Sequence, residues 1–430
     1  MLNLEDYTQT DYAAKSFIMA GGERYCLLVN SISGMPLFYP NLYVTTQVRN
    51  RSLSYSAMES ALVGISVLLR FMLERNLSLE DRFKKGLFLD LHEIDSLRDY
   101  CQKKLISSVK NKNFIELINP DKYKKEKSGR VSSQTEYRRL TVIADYVEWL
   151  ALYLSESNRN IEQRKLIDKM VKSIKARRPV RKNRNQTLND RSLSNEQLEL
   201  LFELFRPESD LNPFNDKSVR IRNRLIFLML IHLGLRGGEL LNIRIRDIDF
   251  ASGQLVVARR ADEKDDPRTD QPLVKTLDRR LPMKESLVQE IHDYILKERR
   301  FVPNAKKHDF LFVTHKAGPT CGQPISKSSY NKIIMLVRAV SPVLYSFTGH
   351  TLRHAWNEKF SEFMDKMDNP PDEARQEQIR SYLMGWREGS GTAAIYNKRF
   401  IKRKSEQVAL KMQDRQVRLP KEGTVEKHSN

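Results

Sequence analysis

The chain has 430 residues, 40% of them hydrophobic, with 74 Lys and Arg against 54 Asp and Glu, a formal charge of +20 and a pI near 9.7. That length suits two or three separately cored domains better than one, and the charge calls for a polyanionic partner, nucleic acid first and an anionic membrane surface second. Cys26, Cys101 and Cys321 are far apart and odd in number, which excludes a disulfide framework and a CxxC zinc site and fits a reducing cytoplasm.

The start, Met1 to Tyr12, is acidic and polar where a secretory signal needs a basic and then an apolar stretch, so export is not expected. Residues 1–48, with Gly21, Gly22, Gly34 and Pro36 among short apolar pieces, read as an extension whose role the sequence leaves open. From Tyr55 to Asn76, Met58, Leu62, Ile65, Leu69 and Met72 recur at helical spacing, and Ser56 with Glu59 has the form of a capping box. Further helical patterns run from Ile94 to Ile106 and from Ser133 to Leu154, separated by a Lys-rich loop around 122–130, so residues 49–170 are expected to form a small helical domain.

Between Lys172 and Arg184 seven basic residues crowd around Pro179, which predicts an extended basic linker over 171–193. Ser194 and Gln197 then cap a helix from Leu198 to Phe205 and open a second domain, 194–400. Leu225 to Leu235 is the most apolar stretch, but it is interrupted by His232 and falls short of the ~20 residues a membrane helix needs, so it reads as a core helix. After Gly238 alternating residues predict strands at Gln254 to Arg259 and Leu273 to Met283, joined by a polar segment, Ala261 to Gln271. The expected class is mainly α with a small β-sheet or hairpin (α+β), followed by a tail over 401–430.

Several positions could carry chemistry. In LGLRGGEL, Arg236 follows an apolar helix and precedes a glycine pair and a new helical start, a placement that can aim a guanidinium at a phosphate or pair it with Glu239. In HTLRH, His350 and Arg353 are three residues apart and share a helix face, while an ordinary structural histidine and exposed arginine fit the same letters. Gly385, Trp386 and Tyr396 follow, and a lone tyrosine on a helix is usually packing.

The ordered set is more specific than its parts. Arg236 in LGLRxxEL, Lys275 before RRLPM, HxLRH, then Gly385-Trp386 and Tyr396 resemble the tyrosine recombinase, or phage-integrase-like, family over roughly Leu198 to Phe400. The resemblance implies a helical core-binding domain followed by a catalytic domain, and an active site of Arg236, Lys275, His350, Arg353, Trp386 and Tyr396. It implies that Tyr396 attacks a DNA phosphorus to give a 3'-phosphotyrosine, so that no cofactor is needed. Arg236 and Arg353 would clamp the nonbridging oxygens. Lys275, with Lys264 as the second choice, would protonate the 5'-oxygen, and His350 would assist at the Tyr396 hydroxyl or hydrogen-bond the phosphate. Many members have His where this chain has Trp386, whose indole donates but cannot shuttle a proton. Glu239 and His354 would orient their neighbours. His232, His292, His308 and His315 have no metal-ligand spacing, so no metal is expected.

The resemblance further implies double-stranded DNA as partner, a homo-oligomer that is a tetramer on two duplexes, no membrane, and a cytoplasmic site of action in a mobile element's integration or recombination. The basic runs at 122–130 and 172–184 fit either solvated faces or phosphate contacts. Rival readings are a type IB topoisomerase-like or DNA-resolving enzyme, and a noncatalytic DNA-binding regulator of the same fold.

Overall fold

In a computed structural model, residues 12–51, 54–104, 129–155, 160–180, 193–388, 405–406 and 408–413 are described. The chain divides into two units, Met1–Asn189 with Ala261–Gln271, and Asp190–Arg260 with Pro272–Asn430.

In the first unit, β1 (Tyr12–Ile18) pairs antiparallel with β2 (Arg24–Asn30) in a register that sets Ile18 opposite Arg24. The helices are α1 (Phe38–Tyr43), α2 (Tyr55–Leu73), α3 (Leu79–Lys84), α4 (Leu91–Gln102), α5 (Ser133–Leu154) and α6 (Ile161–Ala176). Their apolar stripes meet in one core that includes Leu62, Phe71, Phe83, Leu97, Leu140, Tyr146 and Ile174, together with Cys26 and Leu28 of β2. The amino-terminal hairpin is therefore part of this unit's core. Among the described residues, α2 is the one helix long and apolar enough to cross a membrane. The buried Leu62, Ile65, Leu68 and Phe71 give α2 a core to fill, and Leu225–Leu233 likewise lies within the buried helix α8 as expected.

The local signals act with some shifts. Helix α2 starts after Ser54, whose backbone is extended (φ −69, ψ 155), and the expected Ser56–Glu59 box does not form because Ser56 already lies inside the first turn. Asp90 and Glu93 make a reciprocal capping box that starts α4 three residues before the expected Ile94. Helix α6 overturns part of the extended-linker expectation. Asn160 accepts from the backbone N–H groups of Glu162 and Gln163, and Ile167, Met170, Val171 and Ile174 bury one stripe through Ala176. Lys172 and Lys175 ride on this helix, with Lys175 3.0 Å from Asp145, so the apolar period outweighs the run of charge. Arg181, Lys182 and Arg184, like the loop at 122–128, lie outside the described residues.

The segment Ala261–Gln271 is fastened within the first unit by Arg24, which is 1% exposed. Its guanidinium donates to the carbonyls of Gly22 (2.7 Å), Glu263 (2.6 Å), Arg268 (3.3 Å) and Asp266. The Arg24 backbone N–H donates to Asp262 at 3.0 Å. Gly22, at φ +92, allows the approach, since a side chain there would come within 2.7 Å of the Asp262 carbonyl. Asp266, fully buried, also takes a two-point contact from Arg268 at 2.8 and 2.7 Å.

The second unit contains α7 (Asn195–Leu204), α8 (Lys217–Leu233), α9 (Gly237–Leu240), strands β3 (Ile248–Asp249), β4 (Gln254–Val257) and β5 (Arg279–Pro282), then α10 (Glu285–Asp293), α11 (Lys327–Val340), α12 (Gly349–Asp365) and α13 (Glu373–Met384). Ser194 and Gln197 form the expected box at α7. The sheet is antiparallel in the order β3-β4-β5, with Leu255 opposite Leu281. Both expected strands are shortened. The first ends at Val257, and before the second the Thr276 hydroxyl and the Leu277 N–H bond Glu239 and Gly385 rather than a neighbouring strand. The core runs from Leu201 and Phe227 through Leu240 and Leu255 to Val337 and Leu352.

Replacing Arg24 by Met leaves four carbonyls without their donor and Asp266 without one of its cations. It should destabilise the first unit by roughly 3–5 kcal/mol, as expected for breaking a buried charged network. Limited trypsin digestion should then cut faster at Lys264 and Arg268, and unchanged digestion would contradict this role.

Candidate active site

The site is built around Glu239, which sits in the short helix α9 with its side chain fully buried. Helix α8 ends at Gly234 in the left-handed conformation (φ 61), where any side chain would press on Met384. The chain reverses and enters α9 with Arg236 as its N-cap. The Arg236 backbone N–H donates to Glu239 Oε2 at 3.1 Å, and its Nη1 donates to Oε1 at 3.4 Å. Its side chain remains 30% exposed.

Three other elements converge on the same carboxylate. Thr276 donates its hydroxyl proton to Oε1 at 2.8 Å. Arg279, on the inward face of β5, donates to Oε2 at 2.8 Å, to Thr276 Oγ1 at 3.1 Å, and through Nε to the Leu383 carbonyl at 2.8 Å. Arg353 of α12 brings Nη1 to 3.9 Å from Oε2 and donates to the carbonyls of Gly234 (2.6 Å) and Met384 (2.8 Å). Burial alone would raise the Glu239 pKa. The guanidinium groups of Arg279 and Arg353, with the Arg236 backbone bond, outweigh it and hold the carboxyl below its ordinary value of 4.5.

Arg353 is wholly buried, and its guanidinium carbon lies 5.4 Å from the ring of Trp386, itself 5% exposed. Gly385 closes α13 at φ 63 and accepts a bond from the Leu277 N–H at 3.0 Å. A side chain at Gly385 would meet the Leu277 carbonyl at 2.8 Å and Thr276 at 2.9 Å. Lys275 is exposed and lies in the loop before β5, outside the strand in which the sequence places it. Its neighbours in the chain are fixed, Val274 in the core and Thr276 on Glu239. Lys264, the second choice, falls in the segment that belongs to the first unit.

His350 is exposed on the first turn of α12, with the His354 ring edge-on at 4.6 Å. Tyr330 packs beneath both helix starts. Its ring lies 2.9 Å from where a Gly237 side chain would begin, and its hydroxyl occupies the place of a side chain at Gly349. Tyr396 lies outside the described residues. His315 is held by Ser218 at 2.6 Å and Tyr294 at 3.1 Å, and burial pulls its imidazole down to about 4, while His308 bonds the Gly322 carbonyl at 2.7 Å.

The structure therefore brings Arg236, Arg353 and the side chain of Thr276, next to Lys275, to one carboxylate, with Trp386 against Arg353. Glu239 does more than the orienting of Arg236 expected of it. Thr276, Arg279 and Tyr330 were not singled out in the sequence. For Arg279 a signal was present, because alternation through RRLP places it on the same face as Leu281, and an inward arginine needs a buried acid.

A comparison with protein families finds the phage integrase family over residues 191–402. Transposase A from transposon Tn554 of Staphylococcus aureus is 29% identical over 135 residues, 31% of this chain and 34% of the relative. A putative integrase/recombinase, y4rF, of Sinorhizobium fredii is 33% identical over 81 residues, 19% of this chain and 16% of the relative. The chain thus spans about a third or less of the length of these curated relatives. Among solved structures, the XerH site-specific recombinase bound to palindromic difH substrate in a post-cleavage complex is similar at 15% identity and a TM-score of 0.46, covering 84% of this chain and 80% of that one.

The low pKa of Glu239 ties stability to pH. Its ionised form is fully favoured above the unfolded value, and that stabilisation is lost as pH falls through the lower folded value. Glu239→Gln should cost roughly 3–5 kcal/mol at neutral pH and flatten the acid limb of the stability profile. Urea unfolding across the acid range measures both, and an acid limb as steep as that of the parent would refute the assignment.

Proposed function

We propose that the protein is a site-specific DNA recombinase or integrase of a mobile element, which cleaves and rejoins DNA through a 3'-phosphotyrosine at Tyr396. The observation that carries the reading is the convergence of Arg236, Arg353 and Thr276, next to Lys275, on buried Glu239, with Trp386 packed on Arg353, within a stretch matched by the phage integrase family.

Strand cleavage needs positive charge where negative charge develops on the phosphoryl oxygens, a nucleophile in line with the leaving oxygen, and a proton for that oxygen. The partly exposed Arg236 supplies donors to a nonbridging oxygen. Arg353 adds its charge from below, held in place by the Gly234 and Met384 carbonyls. Tyr396 Oη forms the new P–O bond as the P–O5' bond breaks. Lys275, exposed beside a fixed backbone, delivers its proton to the 5'-oxygen and recovers it on religation. His350, on the exposed first turn of α12, takes the tyrosine proton or donates to the phosphate. Trp386 packs against Arg353 and donates through its indole N–H.

One phosphodiester is exchanged for another, so the bond energy is stored and neither nucleotide nor metal enters the scheme. Exchange between two duplexes requires four cleavages, which favours a homotetramer on double-stranded DNA in the cytoplasm. The charge of +20 suits the phosphate contacts such an assembly makes. The domain reading that goes with it is a core-binding domain over 49–170 and a catalytic domain over 194–400, with 401–430 as a tail that docks on a neighbouring subunit.

Incubation with nicked duplexes from candidate attachment sites, without metal or ATP, should give a covalent adduct that survives denaturation. Tyr396→Phe should give none, and Arg236→Ala should form it about 10²–10³-fold more slowly, as for loss of one preorganised donor. An adduct formed equally by Tyr396→Phe would overturn the nucleophile, and specific binding with no adduct from the parent protein would overturn the enzyme.

A further inference from the structure

We propose that Thr276 is a positioning residue for the proton donor Lys275, coupling its placement to that of Arg236 through one carboxylate oxygen. The inference rests on the reading of Lys275 as the acid that protonates the 5'-oxygen.

The hydroxyl of Thr276 has one proton to give and two lone pairs to fill. Arg279 Nη1 donates to Thr276 Oγ1 at 3.1 Å, so the hydroxyl accepts from that side and its own proton goes to Glu239 Oε1 at 2.8 Å. The same Oε1 accepts from Arg236 Nη1 at 3.4 Å. Lys275 is thus one peptide unit from a side chain whose position is read directly against the phosphate-facing arginine. On the other side Val274 is anchored in the core, at 1% exposed, and beyond Thr276 the Leu277 N–H is bound by Gly385. The backbone at Lys275 has little freedom, while its side chain is exposed and able to swing. A flexible ammonium stem is useful as an acid only if its root is fixed relative to the phosphate clamp. Thr276 fixes the root and transfers no proton itself.

A purely structural threonine and a positioning one predict different substrate dependence. A 5'-bridging phosphorothiolate leaves as a thiolate, which needs no proton, so a defect that acts through the general acid disappears on that substrate. A defect in the arginine clamp or in folding persists. Thr276→Val keeps the branched shape and removes both hydrogen bonds, whereas Thr276→Ser keeps them. Single-turnover adduct formation should be measured on matched phosphodiester and phosphorothiolate duplexes, with Lys275→Ala as the reference for loss of the acid.

Thr276→Val is expected to be at least about 10-fold slower on the phosphodiester, part of the roughly 10²–10⁴-fold that a general acid contributes, and near the parent rate on the phosphorothiolate. Thr276→Ser should recover most of the loss. Because each preparation is compared on two substrates, the folded fraction cancels from the ratio, and Thr276→Ala provides a second variant for the same ratio. Equal slowing on both substrates, or no slowing on either, would overturn the positioning role. If Lys275→Ala is not rescued by the phosphorothiolate, Lys275 is not the acid and the inference falls with it. If the parent forms an adduct with neither substrate, the recombinase reading itself has failed.

Discussion

A carboxylate removed from water has to be repaid by cations and donors held close, and Glu239 imposes that requirement on most of the second unit. Its two oxygens receive the Arg236 backbone and side chain, the Thr276 hydroxyl and Arg279, and Arg353 stands 3.9 Å away. These groups come from α9, the loop before β5, β5 itself and α12. Removing the carboxylate would leave buried guanidinium groups facing one another, which is far worse than losing a single hydrogen bond. The surrounding backbone is shaped to permit the cluster. Gly234 and Gly385 adopt left-handed conformations that let the ends of α8 and α13 close on it, and their carbonyl neighbourhoods receive Arg353 and Leu277.

The arrangement separates rigid from adaptable chemistry. Arg353 and Arg279 are locked by carbonyls and carboxylate, Arg236 is locked at one end and open at the other, and Lys275 is fixed only through its backbone. A phosphate entering such a site meets preorganised positive charge without the protein having to gather it at the moment of reaction. The first unit shows a related economy at Arg24, where one buried guanidinium organises the carbonyls of a polar segment that has no sheet or helix to satisfy them.

The sequence revealed most where local signals and apolar period agree. The Ser194–Gln197 box gave α7, and the stripe from Ser133 gave α5 with its observed limits. It failed where a longer-range term decides. The charges of Lys172 and Lys175 suggested an extended linker, yet the stripe Ile167, Met170, Val171 and Ile174 extends α6 to Ala176. Leu273 to Asp278 alternates like a strand, but Thr276 and Leu277 are bound by Glu239 and Gly385 rather than by a neighbouring strand. The order Arg236, Lys275, His350, Arg353, Trp386 pointed to the candidate site, because each motif is local. The contribution of Thr276, Arg279 and Tyr330 was hidden, because the partners that define it lie far along the chain, Glu239 37 and 40 residues away from Thr276 and Arg279, and Gly237 and Gly349 in helices other than that of Tyr330.

The central claim is that Glu239 sets the geometry of the cationic cleft without itself touching DNA. The most direct measurement compares DNA affinity and single-turnover cleavage for Glu239→Gln and the parent, under conditions where both are folded. The account predicts little change in affinity and a cleavage rate lower by about 10²-fold, similar to loss of one preorganised donor. Cleavage at the parent rate, or a loss confined to DNA affinity, would contradict it.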